Sequence, residues 1–306
     1  MAPPVHIRGV FPPGSIASHY DGFLSSLQSK RPETRGTYGR ALREFVRWHV
    51  RQRSGDLTTG DVRRYKAYLA GEKRLCAVSV STYLTAVRRF CAYLVRRGVL
   101  AENPAVPVRG NSRPRTHSRA PLTAAEARTL LAGVDRSGER GARDYAFITL
   151  MLICGLSEIE IIRADAGDLL REEGGARLRV QGKGRRQKDQ AVPLTPEALG
   201  AIERYLSLRG KLAATEPLFA GAGNRTRGTR MTTRGVRDRV SQVLERAGLR
   251  SSTRRRITPY SLRHTAAVLL AESGASADEI CARMRLGSLS TAKLYIEQSR
   301  DNQTGQ

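Results

Sequence analysis

Cysteine, acidic side chains and long apolar runs are all scarce in this chain of 306 residues. The four cysteines, Cys76, Cys91, Cys154 and Cys281, are far apart and form no paired metal-ligand spacing, which argues against a zinc module and a disulfide framework. They are expected to be buried free thiols in a reducing cytosol. The longest apolar stretch, "AFITLMLICGL" at 146–156, is about half the length of a membrane span. The opening "MAPPVHIRGVFPPG" has no signal-peptide core. A soluble, cytoplasmic protein with no membrane partner is therefore expected. The deficit of carboxylates is the most informative of these absences: 28 Asp and Glu face 53 Lys and Arg, a formal charge of +25. Such a field attracts polyanions, so nucleic acid is the leading partner.

What is present is ordinary globular composition, 40% hydrophobic and 26% charged, in a chain long enough for two cores. Arg dominates the cations, Lys occurring only at 30, 66, 73, 183, 188, 211 and 293. That bias follows from a GC-rich genome as readily as from phosphate recognition. After an N-terminal tail at 1–14, helical periodicity predicts segments near 15–29, 33–52, 58–71 and 78–97. In "VSVSTYLTAVRRFCAYLVRRG" the residues Val80, Leu84, Val87, Phe90, Cys91 and Leu94 face inward, leaving Arg88 and Arg89 on an outer, DNA-binding face. Residues 15–105 are thus expected to form a basic helical domain. The aperiodic, Pro-rich and basic stretch at 106–120 is expected to be a linker.

A second domain at 121–299 starts with Thr123 and Glu126 at capping-box spacing, and 300–306 are expected to be a polar tail. This domain is mainly α with a small antiparallel sheet. "ARLRVQGKGRRQKDQAVPL" at 176–194 predicts a hairpin with a basic tip, "EPLFAG" at 216–221 a short strand, and helices follow near 232–247, 258–273, 276–285 and 290–299. No helix-turn-helix signature supports an unrelated helical repressor.

Four stretches carry chemistry when taken together: "CGLSEIEIIRADAGDL" at 154–169, "VQGKGRRQKDQAVPL" at 180–194, "TPYSLRHTAAVLLAESG" at 258–274 and "MRLGSLSTAKLYIE" at 284–297. In this order the set resembles the catalytic domain of the tyrosine recombinases, the phage-integrase family, and the helical first domain resembles that family's SAM-like core-binding domain. The resemblance implies a two-domain clamp and a DNA strand-exchange enzyme without metal or cofactor. It assigns Tyr295 as nucleophile, Arg263 as phosphate clamp and Lys183 as general acid. It also exposes departures. Ser157 stands where the family's first Arg belongs, and Tyr260 where the His of H-x-x-R belongs. The loop before Tyr295 is two residues short, so that Ser288 is nearest to the late His or Trp.

An Arg fork holds two phosphate oxygens, which a Ser hydroxyl cannot do, and losing one such donor costs on the order of 3 kcal/mol of transition-state stabilisation. Candidate substitutes are Arg163, Arg256, Arg185 and Arg186, and the sequence does not choose among them. Arg163 lies six residues beyond Ser157, about 240° round a helix, a poor position for direct replacement. Arg254 and Arg255, like Arg185 and Arg186, suit backbone phosphates. His264 is an auxiliary candidate, read as lying on a different side of its helix from Tyr260. The bland reading of Arg263 pairs it with Glu272 or Glu279.

The family resemblance implies assembly on DNA, with four subunits in the synapse. It leaves two functions open: a recombinase or integrase, for example of a mobile element, and a cleavage-deficient DNA-binding partner of another recombinase.

Overall fold

The computed structural model describes residues 16–52, 56–111, 119–182, 184–250 and 256–304. It divides into two compact units, residues 1–114 and 115–306.

In the first unit a 3-10 turn, Ile16–His19, leads into α1 (Tyr20–Ser26), followed by α2 (Pro32–Arg51), α3 (Thr59–Gly71) and α4 (Ala77–Arg96). Pro32 occupies the first turn of α2, where its missing N–H costs nothing. Thr58 and Asp61 close a capping box on α3. Phe23, Phe45, Tyr65, Leu84 and Phe90 fill the core between these helices. The inward set predicted for α4, from Val80 to Leu94, is buried throughout. Of the expected linker, Val108 is buried in this same core, Lys66 Nζ donates to the Arg109 carbonyl, and Asn111 N donates to Ser81 Oγ at 2.9 Å. Residues 106–111 of that segment thus extend the first unit, whereas Ala120 N donates to the Arg256 carbonyl in the second.

The second unit comprises α5 (Ala124–Ala132), α6 (Gly138–Leu152), α7 (Glu158–Arg163), β1 (Leu169–Glu172), β2 (Gly175–Val180), β3 (Gln190–Leu194), α8 (Pro196–Arg209), α9 (Thr233–Arg246), α10 (Ser261–Glu272), α11 (Ala277–Arg283) and α12 (Leu289–Thr304). The sheet is antiparallel in the order β1-β2-β3, with Leu178 paired to Leu169 on one side and Val192 on the other. Along β2 the buried residues Ala176, Leu178 and Val180 alternate with exposed Arg177 and Arg179, the pattern of a strand with one wet face. Helix α6 is the central element, buried from Gly141 to Leu152. A smaller apolar cluster joins α10, α11 and α12 through Ala267, Val268, Ile280, Met284, Ala292 and Tyr295.

Four expectations need correction. The sheet has a further strand, β1 at Leu169–Glu172, that the expected hairpin at 176–194 does not include; α7 ends at Arg163 and Asp165 caps a single 3-10 turn before it. Residues 216–221 form no strand; isolated bridges join Asp165 to Pro217 and Ala220 to Arg230. Helix α12 continues to Thr304 through the expected polar tail, since neither Gly nor Pro interrupts it before Gly305. Finally, Cys76 is exposed, at the N-cap of α4, whereas Cys91 is buried as expected and Cys154 and Cys281 are partly so. No helix among the described residues is long and apolar enough to cross a membrane.

Candidate active site

The site is built around one buried carboxylate. Helix α6 ends near Gly155, which adopts φ +62; a Cβ there would lie 2.6 Å from the Met284 methyl, so only Gly lets the two segments approach. Ser157 then caps α7, and Glu160, 2% exposed, closes the capping box by accepting from Ser157 N at 2.7 Å and Ser157 Oγ at 2.8 Å. Two guanidiniums meet the same carboxylate. Arg263 Nη1 donates to Glu160 Oε2 at 2.7 Å and to the Gly155 carbonyl at 2.8 Å, while its Nη2 donates to the Met284 carbonyl. Arg285 donates from Nε to Glu160 Oε1 at 2.6 Å and from Nη2 to Oε2 at 3.2 Å and Gly155 O at 2.8 Å. The partner of Arg263 is therefore neither Glu272 nor Glu279. Its inward aim follows from its place in α10, where every residue from Ser261 to Val268 is buried.

Burial by itself pushes the Glu160 carboxyl up, but the hydrogen bond from Arg285 and the charges of Arg263 and Arg285 outweigh it and hold the pKa at about 2, against an ordinary value of 4.5. A carboxylate with a depressed folded-state pKa contributes stability that is fully present above its unfolded value and is lost as pH falls through the folded one. We expect roughly 3 kcal/mol of stability to disappear between about pH 4.5 and pH 2. Chemical denaturation of wild type and Glu160→Gln at pH 6 and pH 3 measures it: the two should converge as the pH is lowered.

Tyr295 sits beside this cluster. Its Oη lies 2.8 Å from His264 Nδ1, and the side chain is only 3% exposed. Burial and the neighbouring Tyr260 raise the phenol pKa, while the Arg263 charge opposes them. Tyr260 packs edge-on against His264 with ring centroids 4.8 Å apart, and the Arg119 guanidinium covers the Tyr260 ring at 5.0 Å. The expectation that His264 and Tyr260 face different sides is thus overturned. Four residues make about 400° of helix, so a side chain at the N-cap of α10 meets the one a turn later.

The remaining expected residues are more scattered. Lys183 lies outside the described residues, as do Arg254 and Arg255. Its neighbour Gly182 is buried, and a Cβ there would lie 3.9 Å from Glu160 Oε1, so the β2–β3 connection starts at the carboxylate cluster. Arg163 donates to the Gly182 carbonyl at 3.2 Å and so supports that connection. Arg185, exposed, pairs with Asp189 at 2.5 Å, and Arg186 is exposed. Arg256 is exposed, and its carbonyl accepts from Ala120 N. Ser288 is exposed, with its hydroxyl 2.6 Å from that of Ser290. In the first unit Arg89 is exposed and lies over the Tyr38 ring. Arg88 instead holds the chain after α4, donating to the Ala105 and Val108 carbonyls at 3.3 and 2.9 Å. That fixed, partly buried position corrects the reading of Arg88 as a freely outward cation.

Sequence reasoning singled out neither Arg285 nor Glu160. Nothing in "ARMRLG" sets Arg285 apart from a surface Arg.

Residues 121–302 match the family model described as "Phage integrase family", and residues 22–99 match "Phage integrase, N-terminal SAM-like domain". The chain belongs to the phage integrase family, the tyrosine recombinases, whose members cut and rejoin DNA through a tyrosine intermediate. It is 31% identical to tyrosine recombinase XerC of Pelobacter propionicus over 285 residues, covering 91% of this chain and 89% of that protein. The XerC of Neisseria meningitidis serogroup C is 28% identical over 94% of this chain and 93% of its own length. In fold the chain is similar to XerH site-specific recombinase bound to a palindromic difH substrate, with a TM-score of 0.71 at 17% identity over 94% of this chain and 82% of that one. It is likewise similar to a lambda integrase dimer bound to a COC′ core site, with a TM-score of 0.69 at 16% identity over 90% and 96%.

Proposed function

We propose that this tyrosine recombinase breaks double-stranded DNA with Tyr295, and the observation that carries the reading is the 2.8 Å contact between Tyr295 Oη and His264 Nδ1. With its proton on Nε2, His264 accepts the phenolic proton through Nδ1 as the oxygen attacks phosphorus. The bond to the 5′ oxygen breaks, a 3′-phosphotyrosyl link forms, and Lys183 gives a proton to the departing 5′ oxygen, which leaves as a hydroxyl. Rejoining reverses each transfer, so the bond energy is kept without ATP. Arg263 neutralises the charge that grows on the non-bridging oxygens, aimed by Glu160 and the Gly155 carbonyl. His264 thereby takes up the proton work for which Tyr260 has no basic nitrogen.

The exposed cations Arg89, Arg185, Arg186 and Arg256 would contact backbone phosphates, together with Arg254 and Arg255, while Arg163 supports the β2–β3 connection at Gly182. Self-association on DNA, four subunits in the synapse, completes the exchange, and a mobile element at the nucleoid is the setting that fits an integrase. A second reading, a cleavage-deficient partner of another recombinase, is favoured by Ser157, by Tyr260 and by the buried Tyr295 phenol.

A nicked duplex carrying the site, recovered by selection from random sequences, separates the two. The expected result is a covalent protein–DNA adduct on a denaturing gel, whose phosphotyrosyl peptide contains Tyr295. His264→Ala should slow adduct formation about 100-fold, with partial recovery as pH rises and the phenol ionises without help. Site-specific binding with no adduct, alone or mixed with a second recombinase, would establish the partner reading instead.

A further inference from the structure

We propose that Arg285, delivered from the end of α11, is the second guanidinium of the phosphate clamp and replaces the Arg that Ser157 does not supply. The inference rests on the recombinase reading for its role in cleavage, and on geometry for the phosphate contact itself.

The first observation is where Arg285 sits in the backbone. Helix α11 ends with Leu286 N donating to Cys281 O at 2.9 Å and Arg285 N to Ala282 O at 3.1 Å, which makes Arg285 the left-handed stop residue of a Schellman motif. Its φ is +53, a conformation that favours glycine, and among the described residues only Arg74 is another non-glycine with positive φ. A long cationic side chain at such a position is retained against local preference.

The second observation is where the side chain goes. It turns inward to 4% exposure and places its guanidinium on both Glu160 oxygens, with Nη1 on the Arg283 carbonyl at 2.6 Å. Ser157 Oγ donates to the same Glu160 Oε2 at 2.8 Å. An Arg at 157 would start from that point, so Arg285 brings the missing group to the same carboxylate from a different element.

Charge is the third. Two buried guanidiniums share one carboxylate, and their charges sum with it to +1. Arg263 and Arg285 repel each other at this distance, and one carboxylate cannot neutralise both. A phosphodiester bearing one negative charge would balance the cluster. Arg263 retains Nε–H and one Nη2–H, and Arg285 one Nη1–H, beyond the bonds described above. Gly182, just after β2, borders the same carboxylate, a Cβ there lying 3.9 Å from Glu160 Oε1, so the phosphate would sit beside the start of the β2–β3 connection.

Arg285→Gly is the direct test, because it removes the side chain where glycine suits the backbone. Duplex binding as a function of salt, on the selected site, should show the slope of log K against log salt reduced by about 1. Adduct formation on the nicked site should fall about 100-fold, and adding Ser157→Arg should restore it. Arg285→Lys, which keeps charge without the fork, should keep the slope and still cleave slowly. If Arg285→Gly fails to give a cooperative thermal transition, Arg285→Gln supplies the same slope measurement. A slope equal to wild type in the folded neutral variant overturns the proposal, whatever happens to the adduct. A reduced slope with no adduct even in wild type would leave the phosphate contact standing while the cleavage reading fails.

Discussion

A Tyr295→Phe chain is expected to bind its DNA site as tightly as wild type and to yield no covalent adduct, a fall of at least about 10⁴-fold. The substitution deletes one oxygen and leaves the ring among Ala267, Val268 and Ala292, so the fold should survive. It also removes the hydrogen bond to His264 Nδ1, which is worth about 1 kcal/mol. The measurement pairs a binding isotherm with a denaturing gel on the nicked duplex. Adduct formation by Tyr295→Phe at the wild-type rate would move the nucleophile to another residue.

Glu160→Ala is expected to have the largest effect on stability, a loss of about 3–5 kcal/mol in the unfolding transition of the second unit. The carboxylate accepts from Ser157, Arg263 and Arg285 together, and its removal leaves two cations buried with no counter-ion. The cap of α7 is lost as well. Guanidinium chloride unfolding, followed by probes placed in each unit, separates this transition from that of the first unit. A change below about 1 kcal/mol would mean that solvent or an ion already shares the charge.

How much of this was legible depended on whether a residue works through local pattern or through distant contact. The helices of the first unit were readable because inward side chains such as Val80, Leu84 and Phe90 recur at helical spacing and are buried. The β2–β3 pair was readable from the alternation of Leu178 and Val180 with Arg. Tyr295 and Arg263 were singled out from order and motif, and the structure brings both to one cluster. Strand β1 was not readable, because "LLRE" is too short to show a period. His264 was misjudged by taking a one-residue step from Arg263 as the measure, when its neighbour is Tyr260 a full turn earlier. Arg285 was invisible for a different reason: its meaning lies in a backbone angle and in a carboxylate 125 residues away.

The small cluster between α10, α11 and α12 sets a threshold on reaction. Tyr295 is the bulkiest side chain in it, set among alanines, Val268, Ile280 and Met284. If Tyr295 attacks DNA as proposed, a phenol 3% exposed must emerge before it can touch phosphorus. Withdrawing an aromatic ring from such a nest costs about 2 kcal/mol, which holds the emerged form to about 3% of molecules. Reaction rate is then multiplied by that fraction. On the proposed reading Tyr295 is a nucleophile kept in reserve, and whatever favours its release, DNA included, speeds cutting without touching the chemistry.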